Sequence, residues 1–327
     1  MKQPAPDADT TRQAPPRAWL YVVMFLLFVI WSNAFHGVAY FRQEVGVSAS
    51  ALVTLRFGFA ALLCLPWLIA RRREVRASLA RDGWKLLAMG ALLVPGYNLA
   101  LNWGQGRVPP ATASLIITMN PVFTYLLALA FLGERPTWRK FLGLAVAFLG
   151  VYLLVRAQQA SFGAGYSVYA LVVLLAPLSW AGATVIGKPI TGRTDPILVT
   201  FLATTLGSLP FVGLLFAGTE GVHATLRGLN ATGWAWLAHL AVLCTVVGFA
   251  IWFRVLRQIP ASSVAAFVFL NPPLTSAFGP IWGTERFHWT TAGFGLLTLL
   301  GVALSTDLPA RVRAAGRSPR PAPDPIR

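Results

Sequence analysis

Apolar residues in this chain come in runs of about 20, and nearly all of the charge is confined to the short stretches between them. Ten runs are legible: 19–40, 48–70, 84–103, 109–132, 138–155, 166–187, 196–217, 233–253, 260–282 and 288–306. At about 1.5 Å of rise per residue, a helix of roughly 20 residues covers a hydrocarbon core about 30 Å thick. Each run therefore predicts one transmembrane helix, and connections of mostly 4 to 15 residues leave no room for a soluble domain. The first run is longer than the apolar core of a usual signal peptide and no small-residue cleavage site follows it, so it too reads as a span.

Composition agrees, with 56% hydrophobic and 12% charged residues, where a soluble domain carries about 25% charged. Orientation follows from Lys and Arg, which are retained on the cytoplasmic side. Assigning alternate loops to alternate sides puts 21 of the 27 basic residues on one side and five on the other, leaving only Arg56 inside a span. That division predicts cytoplasmic termini and an even number of spans. It also disposes of a nucleic-acid partner for the net charge of +16, because the charge belongs to loops and builds no folded basic face. The two cysteines, Cys64 and Cys244, fall in different spans and do not form a disulfide framework. No metal-ligand spacing, phosphate loop or nucleophile motif occurs, so neither a metal, a cofactor nor catalysis is implied.

The second half echoes the first at an offset of 151 residues. Pro109 matches Pro260, Asn120 Asn271, Pro121 Pro272, Thr124 Thr275, Glu134 Glu285, Arg135 Arg286, Trp138 Trp289, Gly150 Gly301 and Val151 Val302. Five spans per copy is an odd number, so the second copy enters the membrane from the opposite side. The expected fold is an all-α polytopic membrane protein of ten transmembrane helices arranged as two inverted five-helix repeats, with a binding site near the midplane between them. The repeats occupy 19–155 and 166–306, joined by a linker at 156–165 and flanked by disordered cytoplasmic tails at 1–18 and 307–327.

Two five-span halves, each with a Pro-containing fourth helix, a Gly-Glu-Arg-like corner (GERP at 133–136, GTER at 283–286) and a Gly-rich fifth helix (GLAVAFLGVYLL at 143–154), resemble the EamA-type transporters of the drug/metabolite transporter superfamily. The resemblance runs over residues 19–306. It implies a carrier of the bacterial inner membrane, often an exporter of amino acids or other small metabolites. It also implies a central cavity formed mainly by the first, third, fourth, sixth, eighth and ninth helices.

Polar residues inside apolar runs mark the expected pathway, since an unsatisfied amide is costly in hydrocarbon. Asn120 and Asn271 lie midway along their spans, and Pro121, Pro272 and Pro273 free backbone carbonyls one turn earlier. Each Asn-Pro reads either as a hinge and substrate contact or as a cross-helix hydrogen bond beside a kink. Asn98 and Asn102 share a helical face with Gln105, flanked by Tyr97. The first span carries Asn33 and His36; the histidine is either proton-responsive or a structural donor. Trp31 and Trp180 lie deep at corresponding positions, with Thr184 one turn beyond Trp180, and offer either core packing or an aromatic wall. Trp19, Trp84, Trp138, Trp234, Trp236 and Trp289 lie near span ends as interfacial anchors. Glu134 and Glu285 anchor the corners.

No acid lies deep in a span, which argues against a lipophilic-cation pump. Arg56 must be solvated or paired inside the bundle, by carbonyls freed near Pro66, Pro95 or a neighbouring kink, or by a substrate carboxylate, directly or through water. The expected function is alternating-access export of small organic metabolites, amino acids or related compounds, with a small molecule and the lipid bilayer as partners and the oligomeric state left open, a monomer being compatible. The alternatives are a multidrug or nucleotide-sugar-like carrier, or a non-transporting receptor or scaffold.

Overall fold

The computed structural model describes residues 19–105, 116–157, 167–218, 221–283 and 289–306. The expected tails and nearly all of the expected linker lie outside the described residues. Within them every regular element is helical: α1 (Trp19–Gln43), α2 (Ala49–Ala70), α3 (Arg72–Ala91), α4 (Tyr97–Gln105), α5 (Asn120–Phe131), α6 (Trp138–Ala157), α7 (Ser167–Arg193), α8 (Pro196–Ala217), α9 (Val222–Gly228), α10 (Ala231–Ala238), α11 (Gly248–Leu256), α12 (Ala261–Ala266), α13 (Asn271–Phe278) and α14 (Trp289–Ser305). Seven helical stretches are long and apolar enough to cross a membrane, and Asn120–Phe131 and Ala292–Ser305 are shorter apolar helices.

The charged stretch between the second and third runs, expected as a loop, is helical from Arg72 onward. Arg, Glu, Ala and Leu are strong helix formers whatever their polarity. The helix bends at Asp82 (φ −129°, ψ 17°) before it enters the apolar run. A short helix, α9, also fills part of the expected loop after α8.

Four spans are interrupted, in matched pairs. Leu92–Gly96 is a π-helical segment joining α3 to α4, and His239–Val247 is another joining α10 to α11. Pro95 accounts for the first, since it lacks the N–H that an α-helical turn needs. In the second, the Thr245 hydroxyl donates to Leu240 O five residues back, at 2.9 Å. A turn at Thr118–Met119 precedes α5, and a 3₁₀ segment, Phe267–Leu270, precedes α13. Each Asn-Pro therefore starts a new helix, where a proline in the first turn costs no hydrogen bond.

Packing obeys the repeat. The contact of α3 with α8 recurs as that of the His239–Val247 segment with α2; α4 on α7 recurs as α11 on α1; α5 on α7 recurs as α13 on α1. The pairs α2–α8 and α6–α14 map onto themselves. This is the signature of a pseudo-two-fold exchange between halves. The α6–α14 seam depends on small residues: a Cβ on Gly150 would come within 2.5 Å of Thr298 Oγ1, and one on Gly301 within 2.7 Å of the Ala147 Cβ.

Exchange of partners yields two helix groups. One contains α1, α11 and α13; the other contains α4, α5 and α7; and α12 packs on both, most heavily on α5. Between them stands a cluster of rings in which Trp31 meets Trp180 edge-on at 5.4 Å and Trp252 at 5.7 Å, and Trp180 meets Phe249 at 5.1 Å. Five of the six expected anchor tryptophans are exposed, but Trp236 is buried against Gly37 and the Trp282 ring, because α10 packs on α1 at that point.

Candidate functional site

A cavity of about 120 Å³ opens between the two groups, well above the roughly 10–15 Å³ that one water requires. Seven of the residues singled out by sequence line it together: Trp31, Arg56, Tyr97, Asn98, Asn120, Trp180 and Asn271. They come from α1, α2, α4, α5, α7 and α13, so both halves contribute. Apolar neighbours complete the wall, among them Phe35, Leu52, Phe249 and Val268. Among the described lining residues there is one cation and no carboxylate.

Arg56 lies two turns into α2, facing the interrupted α10–α11 span. Its Nε donates to Thr245 Oγ1 at 2.9 Å, and the Thr245 proton is committed to Leu240 O, so the hydroxyl oxygen is free to accept. The guanidinium carbon also stands 4.9 Å from the Phe57 ring centre. Among the described residues no carboxylate pairs with it. No carbonyl near Pro66 or Pro95 accepts from it among the described residues; beside Pro95, Leu93 O and Val94 O accept from Asn98 Nδ2. Thr245 carried no sequence signal: it is a lone hydroxyl in an apolar run whose counterpart at offset 151 is Val94.

Asn120 and Asn271 differ in surroundings despite their matched positions. Asn120 Nδ2 donates to Pro177 O at 3.0 Å, while its Oδ1 is buried without a partner. Asn271 Oδ1 is also buried and unpartnered, and no described residue receives a hydrogen bond from its amide. Asn120 thus makes a cross-helix bond in the first half, whereas Asn271, which lines the cavity in the second, makes none to a described residue.

Three expected residues stand elsewhere. Asn33 turns toward the other side of α1, where Nδ2 donates to Val29 O at 2.8 Å and Oδ1 accepts from Trp282 Nε1 at 2.7 Å. His36 belongs to the α1–α13 contact, with Nε2 at 3.1 Å from Thr275 O. Thr184 is fully buried below Trp180, its hydroxyl unpartnered, and it does not reach the cavity. The side chain of Asn102 lies outside the described residues. Pro121, Pro272 and Pro273 sit at the helix starts already described.

At the end of the bundle away from Arg56, polar ties join the two groups. Ser262 at the start of α12 donates both its amide (3.3 Å) and its hydroxyl to Glu134, which follows α5. Lys140 completes the cluster, with Nζ 3.0 Å from Glu134 Oε2 and 2.9 Å from Ser262 Oγ. Burial pushes the Glu134 carboxyl up, but the Ser262 hydrogen bonds and the Lys140 charge outweigh it and hold the group below its ordinary 4.5. Nearby, Lys188 on α7 donates to Leu256 O and, at 2.7 Å, to Ile259 O in the α11–α12 connection. Glu134 was expected to anchor only its own corner; its reach across to α12 is not encoded in any local motif.

Comparison with known proteins extends the picture. The model of the EamA-like transporter family matches residues 18–156 and again 167–306. A protein of Streptantibioticus cattleyicolor named "Probable terminal-alkyne amino-acid exporter" is 30% identical over 281 residues, 86% of this chain and 91% of its own. The "Pseudopaline exporter CntI" of Pseudomonas aeruginosa is 30% identical over 281 residues, 86% of this chain and 95% of its own. A solved crystal structure with 18% identity covers 90% of this chain and 99% of its own with a TM-score of 0.73, a likeness of fold. With two matches to one family model covering most of its length, and with its helices paired across the halves, the chain belongs to the EamA-like transporter family of the drug/metabolite transporter type and is a multi-pass membrane transporter rather than an enzyme.

Proposed function

We propose that the protein is an alternating-access carrier of the inner membrane that exports small organic metabolites, amino acids or related compounds. In this reading ten spans form two inverted halves, 19–155 and 166–306, with both termini in the cytoplasm. The exporter names of two relatives, one of them for an amino acid, support direction and substrate class.

The observation that carries the reading is the cavity shared by both halves, combined with ties at one end of it. Ser262 stands nine residues before Asn271, roughly 14 Å along the span. The cavity wall instead continues through Val38, Leu52 and Leu101, toward the other end. The basic residues Lys140 and Lys188 at the tied end support a cytoplasmic assignment for it under the positive-inside rule. The conformation described is then the outward-facing one, with Glu134 and Lys188 closing the cytoplasmic side.

The test is flux of labelled amino acids from proteoliposomes carrying a Glu134→Cys, Ser262→Cys pair. Joining the two with a short bifunctional thiol reagent should stop flux, and a reducible linker should restore it on cleavage. Unchanged flux in the joined protein would remove the gate, and no flux in wild type for any solute would remove the carrier.

A further inference from the structure

Four polar groups on residues lining the cavity have no hydrogen-bond partner among the described residues: the Arg56 terminal nitrogens, Asn120 Oδ1, Asn271 Oδ1 and the Trp180 indole N–H. The Arg56 guanidinium makes its one hydrogen bond through Nε and lies against the Phe57 ring, and its two terminal nitrogens donate to no described residue. A permanently charged group in a membrane interior needs acceptors. Asn120 is 2% exposed, and its amide orientation is fixed, since Pro177 O can only accept and must face Nδ2. Its Oδ1 is therefore a true buried acceptor lacking a donor. Asn271 Oδ1, from the other half, is also buried and unpartnered, on an amide that no bond to a described residue orients. Arg56, Asn120 and Asn271 line one cavity, the two unpartnered amide oxygens lie buried in its wall, and apart from Asn98 and Tyr97 the remaining lining is aromatic and aliphatic.

We propose that Arg56 is the anion anchor of this cavity and that the side-chain oxygens of Asn120 and Asn271 receive N–H donors of the same solute. The inference rests on the carrier reading and sharpens it. The preferred solute carries a carboxylate, with an ammonium or N–H group near it, on an apolar body that lies against Trp31, Trp180 and Phe249. Guanidinium matches a carboxylate through two parallel N–H donors, a geometry that lysine or an amide does not reproduce. Thr245 fixes Nε and so aims the terminal nitrogens, which saves the ordering cost of a free arginine. Organic cations without a carboxylate are disfavoured, because the described wall holds a positive charge and no acid to offset it.

The test uses purified full-length protein and four solutes with one body: L-phenylalanine, 3-phenylpropionate, 3-phenylpropionamide and phenethylamine. Binding is read from the fluorescence of tryptophans lining the cavity. Phenylalanine and 3-phenylpropionate should bind at least about tenfold more tightly than the amide and the amine. Arg56→Gln should remove that preference by weakening the two acids and leaving the amide unchanged. Arg56→Lys, which keeps the charge, should retain part of the preference and serves if the glutamine variant does not fold. Asn271→Leu should weaken phenylalanine more than 3-phenylpropionate. Equal binding of acid and amide, an equal loss for all four in Arg56→Gln, displacement by chloride as effective as by 3-phenylpropionate, or no binding by either acid overturns the proposal. Flux in proteoliposomes separates the two levels. Charge-selective binding without flux removes the carrier and keeps the anchor, and flux indifferent to the carboxylate does the reverse.

Discussion

Glu134 and Ser262 lie 128 positions apart, in different halves of the chain, and are joined by two hydrogen bonds, from the Ser262 amide and from its hydroxyl. The contact places a carboxylate at the first turn of α12, where the free N–H groups of a helix start favour negative charge. Lys140 neutralises the cluster, so neither charge is stranded at a site where the two side chains are only 12% and 10% exposed.

Removing the Glu134 carboxylate should destabilise the protein and loosen the closed end. Glu134→Ala should lower stability by about 1.5–3 kcal/mol, the range for hydrogen bonds to charged groups, measured by thermal unfolding in detergent. It should also raise the labelling of a cysteine at Ser263, next to the tie and 1% exposed, by a reagent applied from the cytoplasmic side. Unchanged labelling would mean that the tie is ornamental to gating.

The same group predicts a pH dependence. Because the folded-state pKa of Glu134 is held below its ordinary 4.5, its contribution is fully present above that value and is lost as pH falls through the lowered pKa. Stability attributable to this group should be flat from neutral pH down to about 5 and decline below about 4.5. The difference between wild type and Glu134→Gln should shrink over that acid range. A difference that grows on acidification would reverse the sign of the coupling.

Replacement of the matched asparagines should have unequal effects. Asn120→Leu breaks the bond to Pro177 O and should cost stability by roughly 1 kcal/mol, whereas Asn271→Leu breaks no bond to a described residue and should cost less. Flux should fall in both. Equal melting temperatures for the two variants would contradict the asymmetry seen here.

The small-residue seam between α6 and α14 should reject bulk. Gly301→Val would drive side-chain carbon into Ala147, and an overpacked interface typically costs about 1–3 kcal/mol. Gly213→Val on α8, where a Cβ meets nothing within 4 Å, is the control and should be tolerated. The readout is the yield of folded, monodisperse protein; equal yields would mean that α6 and α14 do not pack as described.

Topology can be tested at sites chosen for exposure. In cells, Ala224→Cys on α9 should react with a membrane-impermeant thiol reagent from outside, and Ala77→Cys on α3 should not; both positions are exposed. The natural Cys64 and Cys244 are buried and give little background. Equal external labelling of Ala224→Cys and Ala77→Cys would overturn the inverted arrangement.

Much of the site was legible because membrane interiors make polar residues conspicuous. Arg56, Asn98, Asn120 and Asn271 stand out against apolar runs, and all four meet at one cavity. The repeat pointed to the matched breaks at Asn120 and Asn271. What could not be read was partnership over long separation. Thr245 as the holder of Arg56, and Ser262 as that of Glu134, depend on which helices touch. Only the facing side of a helix decides whether a polar residue lines a cavity, which is why Asn33 and His36 left the site while Trp31, on the same helix, stayed. The segment from Arg72 to Arg81 is helical and not a loop because its Arg, Glu, Ala and Leu residues favour a helix whatever their charge; one π segment contains Pro95 and the other contains no proline at all.

The exchanged packing of the halves has a consequence for biosynthesis. The partners of α2 and α3 lie in the second half, on α8 and the His239–Val247 segment, so the first half leaves the ribosome with its principal contact faces uncovered. At about 5–20 residues per second, the 151 residues that separate equivalent positions take roughly 8–30 s to synthesise. For that interval the nascent first half has lipid, or an insertion chaperone, where its sister will later sit. Truncation after residue 157 should accordingly yield an inserted but unassembled fragment, prone to degradation until the missing half is supplied in trans.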